Sequence, residues 1–300
     1  MSRCGFVTFL GAPNAGKSTL LNQLAGQKLA IVTPKAQTTR HRILAIVMEG
    51  DTQLILVDVP GVFEAPKKHH FEQAMVSCAW QQVGDADVVA VLVDAVRGIK
   101  GETKLLLERL RDQVPGSKHV VLVLNKIDKV KKDVLLQLTQ TCAAYYDFAA
   151  TYYISALTGD GVAELKTQFA AAMPTSPYLY PPEQVTDMSQ RLLSSEITRE
   201  KLFLRLREEL PYSLTVETEA WEEKRDGSVK INQIVYVERE SQKKIILGKG
   251  GSMLKTIGET ARRDIAEQLG CPVHLFLFIK IREGWKENPE QFSYLGLQKN

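Results

Sequence analysis

The chain has 300 residues, a formal net charge of +3 and 44% hydrophobic residues, enough for two domains with a core each. No apolar run approaches the ~18 residues of a membrane-spanning helix, and Met1-Ser2-Arg3 leads straight into a strand-like run, so neither a spanning segment nor a signal peptide is expected. Cys4, Cys78, Cys142 and Cys271 are far apart with no C-x-x-C, which argues against a disulfide framework or a thiolate metal site and for reduced, buried thiols.

In chain order, Gly5-Phe6-Val7-Thr8-Phe9-Leu10 has strand character and Thr19-Leu20-Leu21-Asn22-Gln23-Leu24 is a good helix start. Between them residues 11–18 read GAPNAGKS, the pattern G-x-x-x-x-G-K-[ST] of a phosphate-binding loop in its strand–loop–helix setting. Gly11 and Gly16 let the backbone curl so that the successive N–H groups along Ala12-Pro13-Asn14-Ala15, of which Pro13 has none, can face phosphate oxygens, next to the positive end of the following helix. Lys17 is expected on the β/γ-phosphates and the Ser18 hydroxyl on Mg²⁺, with Thr19 continuing the site. In Lys35-Ala36-Gln37-Thr38-Thr39-Arg40, one threonine is expected to close on Mg²⁺; Thr39 is preferred and Thr38 is the alternative. The strand Leu54–Val57 ends in Asp58-Val59-Pro60-Gly61, placing Asp58 to hold a Mg²⁺ water and the Gly61 N–H to sense a γ-phosphate.

The buried-strand run Val120–Leu124 ends directly in Asn125-Lys126-Ile127-Asp128. An ionised Asp128 only accepts, so its two oxygens suit the N1–H and exocyclic amine of guanine and would be left unpaired by adenine. Asn125 is expected to tie this loop to the phosphate loop, and the Lys126 stem to stack on the base. Tyr152-Tyr153-Ile154 leads into Ser155-Ala156-Leu157, whose backbone N–H can support guanine O6. Motifs in this order are similar to those of TRAFAC-type GTPases, which implies an α/β P-loop domain with a mostly parallel sheet flanked by helices, binding GTP or GDP with Mg²⁺. Many GTPases orient the attacking water with a glutamine just after D-x-x-G; here that position is Val62, which can neither donate nor accept.

Residues 1–172 are expected to form this domain. Residues 173–182, MPTSPYLYPP, hold four prolines and are expected as an extended connector. In 183–300, Ser189 is expected to cap a helix to about Glu209 with Leu192, Leu193, Ile197, Leu202, Phe203 and Leu206 on its apolar side. Strands follow near Ser213–Trp221 and Val229–Val237, then a short helix, Gly248-Lys249-Gly250-Gly251, a helix to about Leu269 and the strand Val273–Ile281. That order resembles a smaller α+β domain, the type II KH fold, whose glycine loop approaches single-stranded RNA closely. The window 243–263 holds Lys243, Lys244, Lys249, Lys255, Arg262 and Arg263 against Glu259 alone, a footprint suited to phosphate contacts.

The blocks at 11–18, 35–43, 58–61, 125–128, 155–156, 248–251 and 255–258, with 212–213, 237–244 and Gly284-Trp285, resemble the Era family of bacterial ribosome-associated GTPases over almost the whole length. The resemblance implies a slow GTP-hydrolysing switch that binds the 3′ end of 16S rRNA through its KH domain during 30S subunit assembly. It also implies a cytoplasmic monomer with peripheral contact to the inner membrane. Asn14 stands where related GTPases use an asparagine to help hold a monovalent cation, which implies K⁺ beside the phosphates and a catalytic set of Asn14, Lys17, Thr39 and Gly61. Two departures are mild: Val59 replaces a threonine and Ala15 a valine. The competing reading is an RNA-binding chaperone in which the nucleotide is only structural.

Overall fold

β-branched runs bounded by turns dictate the first half of the chain. Val88–Asp94 (β4) is buried along its whole length and His119–Asn125 (β5) at all but its first residue, as a central parallel strand covered on both faces requires. With Arg3–Gly11 (β1), Ile43–Glu49 (β2), Thr52–Asp58 (β3) and Ala150–Ile154 (β6) they form a six-stranded sheet in the order β2-β3-β1-β4-β5-β6, in which only β2 pairs antiparallel. The connecting helices are Lys17–Ala25 (α1), His70–Asp85 (α2), Glu102–Gln113 (α3), Lys132–Tyr145 (α4) and Val162–Ala172 (α5). Because β1, β3, β5 and β6 run in parallel, the segments leaving their carboxyl ends gather at one end of the sheet, and those segments carry the motifs.

The computed structural model describes every residue except Ala36, Lys67, 289–291, 293–296 and 298–300. Contacts divide the chain into one unit of Met1–Asp187 with Phe292–Asn300, and a second of Met188–Gln291. The proline-rich segment belongs to the first unit and is bonded to it. Cys4 N–H donates to the Pro174 carbonyl at 3.2 Å and Ser176 N–H to Ser2 at 3.2 Å. The buried Gln53 side chain on β3 accepts from the N–H groups of Leu179 (2.9 Å) and Tyr180 (3.1 Å) and donates to the Tyr180 carbonyl (2.8 Å), acting as a substitute strand. Ile46 N–H then bonds Val185 at 2.9 Å, which closes the outer edge of β2. The unit boundary falls at Asp187, five residues beyond the expected end of the connector at Pro182.

In the second unit, Gln190–Arg205 (α6), Leu214–Glu223 (β7), Val229–Val237 (β8), Glu240–Leu247 (α7), Ser252–Leu269 (α8) and Val273–Ile281 (β9) follow the expected order. The sheet runs β7-β8-β9, with β7–β8 antiparallel and β8–β9 parallel. Ser189 caps α6 by accepting from Leu192 N–H at 3.3 Å. The helix stops at Arg205 and not near Glu209, because Glu208 takes a left-handed φ of +53° and Pro211 opens a 3₁₀ turn. Leu202, Leu206, Val235, Val237, Ile246 and Ile257 form one apolar cluster under the sheet, and Leu193, Ile197, Ile231, Ala261 and Ile265 another.

Candidate nucleotide site and glycine-loop cleft

The loop after β1 is held from several sides. Gly16 has φ +99°, and a Cβ there would lie 2.1 Å from Asn125 Nδ2, so no other residue fits. Asn125, itself buried, donates to the Ala15 carbonyl at 2.9 Å and accepts from the N–H groups of Lys126 (2.8 Å) and Ala156 (3.0 Å). One amide thus joins the phosphate loop, the N-K-x-D loop and the Ser155-Ala156-Leu157 loop. Ser155 is fully buried, and its Oγ accepts from Thr158 N–H at 3.3 Å. Val62 N–H donates to the Gly11 carbonyl at 3.0 Å, which fixes Gly61 against the loop. Lys17 lies inside, with Nζ donating to the Gly11 (3.1 Å) and Ala12 (3.2 Å) carbonyls.

Three oxygens meet beside Lys17. Ser18 Oγ donates to Asp58 Oδ2 at 2.5 Å and lies 2.9 Å from Thr39 Oγ1, which donates to the same carboxylate oxygen at 3.2 Å. Thr38 points elsewhere: its Oγ1 donates to the Lys35 carbonyl at 2.9 Å and shares a 2.8 Å contact with Thr33 Oγ1. Burial pushes the Asp58 carboxyl up from its ordinary value and the Lys17 ammonium down, and their mutual attraction opposes both shifts. Among the described residues Asp58 Oδ1 is buried without a hydrogen-bond partner. Two hydroxyls and a carboxylate are hard oxygen donors of the kind Mg²⁺ takes, and the orphaned oxygen gives a metal-bound water something to donate to, so the residues fit the ion.

A cleft of about 470 Å³ is lined by Pro13, Asn14, Gly16, Lys17, Ser18, Thr19, Thr39, Gly61, Lys126 and Leu157 among the expected residues. Ile31, Val32, Pro34, Arg97 and Lys129 also line it and carry no motif that would have marked them. Asp128 is exposed in the 3₁₀ turn Ile127–Lys129. Asn14 takes φ +64° and its Nδ2 donates to the Pro34 carbonyl at 3.2 Å, which leaves Oδ1 as the atom suited to a cation. Val59 and Val62 are fully buried in the apolar cluster with Val57, Val89 and Val91, so Val62 is a packing residue with no access to water.

In the second unit Gly248–Gly251 forms a tight turn into α8. Gly248 has φ +71°, and a Cβ there would press on Met253 Cβ at 2.8 Å. Gly250 and Gly251 have positive φ too, but among the described residues, their immediate chain neighbours aside, no atom lies within 4 Å of where a Cβ would sit. Gly251, Lys255 and Arg262 line a cleft of about 400 Å³ between α8 and β9, with Leu254, Leu275 and Leu277 as its apolar wall. Lys249 is exposed on the turn, while Lys243 and Lys244 lie on α7 and do not line this cleft. Leu275 and Leu277, which no motif marks, carry the alternation of an edge strand with one face inward.

Comparison with known proteins finds relatives of both domains. Residues 6–126 match the family model described as "50S ribosome-binding GTPase", and residues 209–286 match "KH domain". The chain is 51% identical over 298 residues to the GTPase Era of Afipia carboxidovorans (99% of this chain, 95% of that one) and 52% identical over 301 residues to that of Erythrobacter litoralis (99% and 97%). Its structure is similar to that of an Era in complex with MgGDPNP and nucleotides 1506–1542 of 16S ribosomal RNA, with a TM-score of 0.93, 35% identity and 99% of each chain covered. A variant of Aquifex aeolicus Era bound to GDP and AlF₄⁻ superposes with a TM-score of 0.92, at 35% identity over 98% of this chain and 99% of that one.

Proposed function

The chain belongs to the Era family of GTPases, and from that premise we propose that it is a GTP-hydrolysing switch that binds the 3′ end of 16S rRNA and acts in assembly of the 30S subunit. The observation that carries this reading is that Ser18 and Thr39, which line a cleft with Lys17 and Lys126, both meet the buried Asp58 carboxylate. Loop N–H groups and Lys17 hold the β- and γ-phosphates, and the buried setting of Lys17 strengthens its pull on developing negative charge. Ser18 and Thr39 would ligate Mg²⁺ and Asp58 would hold one of its waters; the ion, when bound, neutralises phosphate charge. The Gly61 N–H senses the γ-phosphate, and Asp128 takes the two guanine donors. Ala156 N–H is already given to Asn125, so the donor to guanine O6 is assigned to Leu157.

With Val62 buried, the residues after Gly61 supply no water-orienting amide at that position. Asn14 Oδ1 is assigned to K⁺, which would supply there the charge that an arginine finger provides elsewhere. RNA is assigned to the second unit: Gly248, Lys249, Gly250 and Gly251 approach the strand, Lys255 and Arg262 contact its phosphates in the cleft, and Lys243 and Lys244 extend the basic surface along α7. The same proposal makes the protein a cytoplasmic monomer with peripheral contact to the inner membrane; among the described residues no helix is long and apolar enough to cross one.

The test is phosphate release from GTP with and without an RNA carrying the 16S 3′ sequence, in K⁺ and in Na⁺. Hydrolysis that the RNA accelerates supports the switch. RNA binding without any hydrolysis supports the chaperone reading instead. Equal rates in K⁺ and Na⁺ remove Asn14 from the catalytic set.

A further inference from the structure

Asp94 closes β4, a strand whose end carries none of the motifs named above, and it is 4% exposed. Its two carboxylate oxygens do different jobs. Oδ1 accepts from the N–H groups of Val96 (2.9 Å) and Arg97 (3.3 Å) and so caps the turn that follows the strand. Oδ2 accepts from Lys126 Nζ at 2.6 Å, with Arg97 Nε farther off at 3.9 Å. The same Lys126 ammonium donates to the Asn14 carbonyl at 2.9 Å. The two residues joined in this way, Asn14 (φ +64°) and Lys126 (φ +68°), both hold left-handed backbone that their side chains disfavour. Strain of that kind persists only where neighbours over-determine it, and one buried carboxylate is the common anchor. The strand register adds to it: Asp94 pairs with Asn125 across β4 and β5, and Ala95 N–H bonds the Asn125 carbonyl at 2.9 Å.

We propose that Asp94 is a positioning residue for the guanine nucleotide: it fixes the Lys126 stem, and through the Lys126 ammonium the Asn14 carbonyl, in the geometry that base and phosphate require. The inference rests on the guanine-site reading above. A lysine stem is flexible and its ammonium is a point charge without directional preference, so an untethered Lys126 would lose rotamer freedom at the moment of binding. Anchoring the ammonium at two points on the far side of the loop sets the methylenes in place beforehand. The charge also matters, since an ionised acceptor at this distance holds an ammonium far better than a neutral one.

Asp94→Asn separates the two jobs, because its Oδ1 can still cap the turn while an amide nitrogen now faces the ammonium. Its affinity for GDP and GTP should fall about ten-fold, as for a lost charge-assisted hydrogen bond. KM for GTP should rise by a similar factor, with kcat moving far less. Thermal melting of the nucleotide-free protein should stay within ~2 °C of the unmodified chain. Lys126→Met alone should show the same loss, and adding Asp94→Asn to it should cost nothing more, since the carboxylate acts through that lysine. Affinity within two-fold of the unmodified protein, or an equal further loss in the Lys126→Met background, overturns the proposal. An unmodified protein that binds adenine and guanine nucleotides alike overturns the guanine-site reading itself, and this inference with it.

Discussion

Two glycine loops, each proposed above to meet phosphate, are built in opposite ways. The loop at 11–18 is braced by Asn125, Val62 and Lys126, and a single added Cβ at Gly16 would collide with Asn125. The loop at 248–251 is packed only at Gly248; around Gly250 and Gly251 the chain leaves open space, and Lys249 is exposed. The difference follows from the ligands. A nucleotide can be enclosed, so its charge is met by buried, preorganised donors whose attraction is little screened. A polymer must lie across the surface, so its loop stays accessible and relies on exposed charges that salt weakens.

The contrast predicts graded sensitivities. The largest belongs to Asp128→Asn, which exchanges an acceptor for a donor. GTP affinity should fall on the order of 10⁴-fold while xanthosine triphosphate gains, read by competition binding. A retained preference for GTP would show that the N-K-x-D loop does not read the base. Gly16→Ala comes next: positive φ and the 2.1 Å clash should lower nucleotide affinity by at least about 10²-fold and reduce the melting temperature. Near-normal binding by that variant would mean the phosphate loop is less rigid than its bonds imply. Gly250→Asp meets open space but must adopt a left-handed φ of +60°, so it should fold with a modestly lower melting temperature and keep its GTP hydrolysis. Its RNA affinity should nevertheless fall roughly 10- to 100-fold, from a negative charge set against phosphate. Unchanged RNA binding would move the RNA site away from this loop. The smallest effect is Lys249→Ala, expected to weaken binding a few-fold and to flatten the slope of log affinity against log salt by ~0.7, one phosphate contact on a single strand.

Some packing was hidden for identifiable reasons. The apolar positions of α6 fit helical periodicity, and Leu193, Ile197, Leu202 and Phe203 are buried as expected. Yet Glu196, Thr198, Arg199 and Glu200 on the same helix are buried too. Arg199 Nε donates to Glu196 Oε1 at 2.7 Å, and Thr198 Oγ1 donates to Gln233 Oε1 at 2.6 Å. Periodicity marks polar residues as outward because polar groups are costly to bury; partners distant in sequence, such as Gln233, remove that cost. The bonding of the proline-rich segment was hidden for a related reason. Its composition forecasts an extended connector, but not that Gln53 on β3 would bond it.

Sequence alone determined what is local: the strand–glycine loop–helix of the phosphate site, the carboxylate at the end of the N-K-x-D run and the order of elements around Gly248–Gly251. In each case a few consecutive residues hold both the conformation and the chemistry, so nothing distant is needed to recognise them. Tertiary structure decided what is shared between segments. It set the two threonines apart, turning the Thr39 hydroxyl toward Ser18 and Asp58 and that of Thr38 toward Thr33. It also placed Asp94, a residue in no motif, under Lys126 and through it under Asn14. Such choices depend on which strand ends the sheet sets side by side, and the register of parallel strands far apart in sequence exists only once the sheet has formed.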